Sequence, residues 1–197
     1  MAIKEDAERV MKVAKHAFLS AIDYEGCIAI LEVGNNSKVW DALNKAGADK
    51  VTKLIRVTLF FRVLMEVMRE YDPPKPGDYH LRVGIDLLSS NKAVFRKLAS
   101  KGNSKDLLAA IKEFNALDAD PRRDKLRHLR NKQAAHLSDL HPTKLLPLIL
   151  ELESFAHGTS KVAELITHGT GIATASLTSQ LMPFGKSAEA FWNRWLK

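Results

Sequence analysis

One cysteine occurs in 197 residues, so no intramolecular disulfide can form and no cluster of thiolates can hold a metal. Cys27 lies between Gly26 and Ile28 among apolar neighbours, which predicts a buried structural thiol rather than a nucleophile. No run reaches the ~20 apolar residues of a membrane span. The first residues, MAIKEDAERV, are charged and lack the apolar core of a signal peptide, so a cytoplasmic protein with no membrane partner is expected. The histidines show no HExxH or paired-carboxylate spacing. His136, His141 and His157 are therefore not read as metal ligands, and neither metal nor cofactor is expected. Gly169 and Gly171 follow no apolar strand and lack the Lys-Ser/Thr of a phosphate-binding loop.

What is present is positive charge and helical periodicity. The formal net charge is +7, which favours a polyanion such as RNA and also suits an acidic protein partner. With 46% hydrophobic residues the chain can bury a substantial core. Residues 1–197 are expected to form one all-α domain, a bundle of about six or seven helices.

Taken in order, residues 2–31 carry apolar positions at helical spacing, with a break expected near Gly26 or Gly34. Asn35, Asn36 and Ser37 mark a turn, with Ser37 as the expected cap of a short helix. The apolar run from residue 49 predicts a long helix at the hydrophobic centre of the bundle. Three prolines and a glycine at 72–78 cannot continue a helix and predict a stiff surface loop. A helix over 80–98 follows, then one over 105–117 capped by Ser104. After His141 and Pro142 an apolar helix resumes. The small, hydroxylated stretch after His168 predicts a loop. A short helix at about 187–197 presents Phe191, Trp192 and Trp195, which suit docking on the body or on a second subunit more than stacking on bases.

The densest chemistry lies between Pro121 and Leu140. Leu126, Leu129, Gln133, Leu137 and Leu140 recur at three-and-four spacing, which predicts an amphipathic helix over 122–140. Asp120 before Pro121 is a start signal, because Asp caps free amides and Pro is preset for the first turn. Within it stands Arg130-Asn131-Lys132-Gln133-Ala134-Ala135-His136, followed by Asp139. This word resembles the Arg-to-His motif of the HEPN superfamily, and within it the abortive-infection branch. Bare Arg-to-His spacing also fits Arg9 with His16 and Arg122 with His128. Arg123-Asp124 with His128 is the rival set, since it too has a polar second residue.

The resemblance implies an all-helical, metal-independent endoribonuclease acting as a toxin or antiviral effector, with an antitoxin protein as a partner. It implies that Arg130, Asn131 and His136 are catalytic. The chemistry agrees. Cutting RNA without a metal requires a base for the 2′-hydroxyl, an acid for the leaving 5′-oxygen and positive charge on the phosphate. A histidine can do the proton work near neutral pH and an arginine offers a planar fork of donors to the phosphate; His136 and Arg130 are one of each. Arg127 and Lys132 extend the cationic surface as RNA-binding residues.

Six residues on a regular helix turn through about 600°, leaving Arg130 and His136 roughly 120° apart and about 9 Å along the axis. One helix does not stack them on one face, so a homodimer that brings two motifs together is expected, as in the family it resembles. The alternative is a catalytically silent helical module that binds RNA or a protein partner, with Arg130 only a phosphate anchor.

Overall fold

The computed structural model describes residues 2–133, 142–172 and 174–196, with side chains over 2–132, 149–172 and 174–196. The fold is all-α. Among the described residues there are nine helices and no strand: α1 (Ala2–Gly34), α2 (Ser37–Lys45), α3 (Asp49–Arg69), α4 (Leu81–Ser90), α5 (Lys92–Ala99), α6 (Ser104–Asp118), α7 (Pro121–Gln133), α8 (Pro142–Gly169) and α9 (Leu177–Trp192). A 3-10 turn over Asn193–Leu196 closes the description.

The count exceeds six or seven, and one of the added helices arises where an asparagine ends one helix and starts the next. Asn91, extended at φ −118° and ψ 91°, accepts from the amides of Ala93 and Val94, splitting the expected 80–98 helix into α4 and α5. Asn36 rather than Ser37 caps α2, accepting from Lys38 N, and Asn103 rather than Ser104 caps α6, accepting from Lys105 N. In each case the amide oxygen satisfies a donor that the first turn leaves free.

α1 does not break at Gly26; it runs on to Gly34. Both glycines serve close approach by α9. A Cβ on Gly26 would sit 2.8 Å from the Phe184 ring, and one on Gly34 would sit 2.9 Å from Trp192. The C-terminal helix is correspondingly longer than 187–197, since Ser176 caps it, accepting from Ser179 N, and it continues through Pro183. Trp192 docks on the body, 1% exposed, and donates from Nε1 to Ile30 O at 3.0 Å. Phe191 and Trp195 remain outside.

The main core gathers apolar residues from α1, α3, α4, α6 and α8. α3 enters it only through its second half, where Phe60, Val63, Leu64, Val67 and Met68 are buried. Val51 and Leu54 are exposed, so α3 shares the centre with α1 and α8 instead of being it. Tyr71, at the end of α3, stacks on Phe114 of α6 with ring centres 4.9 Å apart and bonds Thr159 of α8 through its hydroxyl at 2.9 Å. Among the described residues no helix is long and apolar enough to cross a membrane.

Candidate functional site

The site is built around the connection from α3 to α4. Its two ends are tied by Glu70, which is 2% exposed. The Glu70 carboxylate accepts from Leu81 N at 2.7 Å, and its backbone oxygen accepts from Arg82 N at 3.1 Å. Burial pushes the Glu70 carboxyl up to about 7, against the pull of the Leu81 amide and Arg69. Within the loop, Asp78 accepts from Lys75 N at 2.7 Å and donates its own amide to Lys75 O at 3.1 Å. Gly77 takes φ 88° there, a left-handed conformation suited to glycine. The proline-rich segment is thus a closed loop held at both ends, and it presents Asp72, Lys75, Asp78, Tyr79 and His80 on one side.

That side faces a cleft of about 610 Å³, completed by His16 from α1, Arg69 from α3 and Arg130 from α7. Arg130 donates from Nη1 to Asp72 Oδ2 at 2.9 Å and from Nε to Asn131 Oδ1 at 3.4 Å. Arg69 pairs with Glu66 at 2.9 Å and donates to Ser20 Oγ at 3.0 Å. His16 and Tyr79 stack, with centroids 5.6 Å apart and planes 19° from parallel. Lys12 Nζ lies 5.9 Å from the Tyr79 ring centre. His80 is 4% exposed, and burial pushes its pKa down, against Asp78. Its Nε2 comes within 3.4 Å of Asp78 Oδ2. That approach lacks hydrogen-bond geometry, so among the described residues neither ring nitrogen has a partner.

Arg130 is positioned by the start of α7. Asp120 accepts from Arg122 N at 2.8 Å and holds the Arg122 guanidinium at 2.6 Å, while Leu126 is fully buried. These contacts set the helix so that Arg130 reaches the cleft. Arg127 is half-buried, 3.9 Å from Asp124, while Asn131 and Lys132 are exposed beside Arg130. His136 and His141 lie outside the described residues. The helix expected over 122–140 is described as far as Gln133.

The rival set is placed elsewhere. Arg123 bridges Asp118 and Asp124, and Arg82 shares Asp118. Neither Arg123 nor His128 lines the cleft. His157 pairs with Glu25, Nδ1 2.9 Å from the carboxylate, and the Glu25 oxygens also receive Ser160. Among the described residues no group of three or more His, Cys, Asp or Glu is placed to hold a metal ion.

Arg69, Tyr79 and His80 carry no motif spacing in the sequence, and His16 shows only a chance spacing from Arg9. They come from three elements, so no spacing along the chain joins them. The one local signal was Asp78-Tyr79-His80 directly after the prolines, where a loop delivers polar side chains to a surface. Chemically, the cleft combines two guanidiniums suited to a phosphate, two imidazoles and an exposed aromatic ring.

No curated protein and no solved structure matches the chain. The family model HEPN_AbiU2, described as AbiU2, matches residues 16–168. The match starts at His16 and runs through every residue lining the cleft. It leaves most of α1's first four turns and all of α9 outside. Covering well over half of the sequence, it shows that the chain belongs to the HEPN superfamily, in its abortive-infection branch.

Proposed function

We propose that the protein is a metal-independent endoribonuclease that acts as a toxin or antiviral effector, with RNA as its substrate. The observation that carries this reading is Arg130, held at the cleft beside Arg69 with His16 and His80 on its other walls. Arg130 holds the scissile phosphate. His136 transfers a proton to or from the reacting ribose or the leaving oxygen, and Asn131 orients one of them. Arg127 and Lys132 carry the cationic surface along the strand. As the 2′-oxygen bonds to phosphorus, the bond to the 5′-oxygen breaks and that oxygen is protonated, giving a 2′,3′-cyclic phosphate and a 5′-hydroxyl. A homodimer supplies the second motif, because one regular helix leaves Arg130 and His136 about 120° apart. An antitoxin protein would be a further partner.

A second reading is a silent RNA- or protein-binding module of the same fold. It is favoured by the Asp72 pair, which already occupies part of the Arg130 guanidinium. Incubation of the purified protein with RNA in chelator, beside His136→Ala, separates the two. Cyclic-phosphate products that His136→Ala fails to make support the enzyme; intact RNA with both proteins supports the module.

A further inference from the structure

We propose that the His16–Tyr79 pair is a base-binding wall, so that the cleft takes a nucleotide of unpaired, single-stranded RNA. The base continues the ring stack while its phosphate lies against Arg130 and Arg69. This rests on the RNA reading of the same cleft and names the form of RNA that it accepts.

Three observations carry the inference. The first is the stack itself. Two side chains from distant elements lie nearly parallel, 19° apart, and both line the cleft. Tyr79 is 40% exposed and His16 is exposed, so a third planar ring can extend the stack. Aromatic rings offer sequence-tolerant contact to any base, because every base has a π face. The second is what shares the cleft with the stack. Arg69 and Arg130 carry planar, permanently charged groups that match phosphate geometry. A ring wall and two guanidiniums in one cleft of about 610 Å³ suit a ligand with a flat apolar part and an anionic part joined by a short spacer, as in a nucleotide. The third is His80. It adds a second imidazole to the lining of the same cleft, held in place by burial with its Nε2 3.4 Å from Asp78 Oδ2, so the wall beside the stack is formed by a ring in a fixed position.

Duplex RNA fits this arrangement poorly. Its bases are already stacked on one another and its major groove is too narrow for side chains to read. A base must be splayed out to reach Tyr79.

The test is fluorescence anisotropy with a labelled single-stranded RNA oligomer, its duplex, and a set in which each position in turn is abasic. Wild-type protein should bind the single strand more tightly than the duplex. One abasic position should weaken binding about 10-fold, as expected for one stacked base. Tyr79→Ala should bind the intact strand about 10-fold more weakly and lose the abasic discrimination, while Tyr79→Phe should keep both. The abasic set with wild-type protein needs no variant to fold. If Arg130→Ala weakens binding while the abasic set is flat and Tyr79→Ala binds like wild type, the base wall is wrong and the RNA reading stands. If wild-type protein binds no RNA at low salt, both fall together.

Discussion

Arg130 donates from Nη1 to Asp72 Oδ2 at 2.9 Å, tying α7 to the proline-rich loop across 58 positions of the chain. Both side chains are mostly covered, 17% and 32% exposed, and the pair sits at the wall of the cleft. Any phosphate that uses Arg130 must share or displace Asp72.

Asp72→Asn keeps the shape and removes the competing charge, so RNA affinity should rise by about 5-fold, the scale of a ~1 kcal/mol ion pair. Arg130→Ala should reduce both binding and cleavage, since it meets the phosphate charge in ground and transition states. Anisotropy titrations measure the first effect. Weaker binding by Asp72→Asn would show that the carboxylate positions Arg130 for RNA instead of opposing it.

His136→Ala should lower cleavage by about 10²–10⁴-fold, the usual loss for a proton-transfer group, with RNA affinity largely kept. His128→Ala should cleave like wild type, because His128 does not line the cleft. Single-turnover rates in chelator decide between them. A dead His128→Ala beside an active His136→Ala would move the site to Arg123, Asp124 and His128.

Glu70 makes stability depend on pH. Its carboxyl titrates at about 7 in the folded protein and near ~4.3 when unfolded, so between those values the folded state binds more protons. Stability contributed by the protonated carboxyl is therefore lost as pH rises from about 4.3 to about 7. Glu70→Gln retains an acceptor for Leu81 N and should flatten that part of the profile. Denaturant midpoints for both proteins across that range give the answer, and an unchanged slope in Glu70→Gln would assign it to another group.

The Glu25 carboxylate beside His157 holds the imidazolium pKa above its ordinary value, its hydrogen bond outweighing burial. A raised folded pKa stabilises fully below the unfolded value of ~6.5 and the gain fades as pH climbs through the folded value. The side chain is 51% exposed, so the effect on stability is small and the better readout is an NMR titration. Glu25→Gln should move the His157 midpoint down, whereas the same midpoint in both proteins would mean the pair does not persist in solution.

Phe114 is fully buried and stacks on Tyr71, which anchors the loop beside the cleft. Phe114→Ala should destabilise the fold by roughly 3–5 kcal/mol through lost burial and the cavity it leaves. Chemical denaturation measures this, and a loss under ~1 kcal/mol would mean that the neighbouring helices close the gap.

The helices were legible because apolar residues at three-and-four spacing report a face that must be buried, and that pattern survives in any helical bundle. The resemblance to the family was legible for a related reason, since the residues that carry it, Arg130, Asn131 and His136, are neighbours along the chain. The breaks were less so. Asn91 and Asn103 act as caps through backbone angles and amide contacts that a periodic pattern does not contain. Gly26 read as a possible helix breaker, yet α1 runs through it and ends at Gly34, and both are places where α9 presses against α1 through Phe184 and Trp192.

By itself, then, the amino-acid order determined an all-α chain, a net positive charge and a resemblance to the HEPN superfamily. Tertiary structure alone decided that Arg130 meets Asp72, Arg69, His16 and Tyr79 in one cleft. The physical reason is range. Helical periodicity and capping act over a few residues of backbone, whereas the cleft depends on the closure of a loop by Glu70 and on the packing of α1, α3 and α7 around it, contacts between residues tens of positions apart that no local pattern encodes.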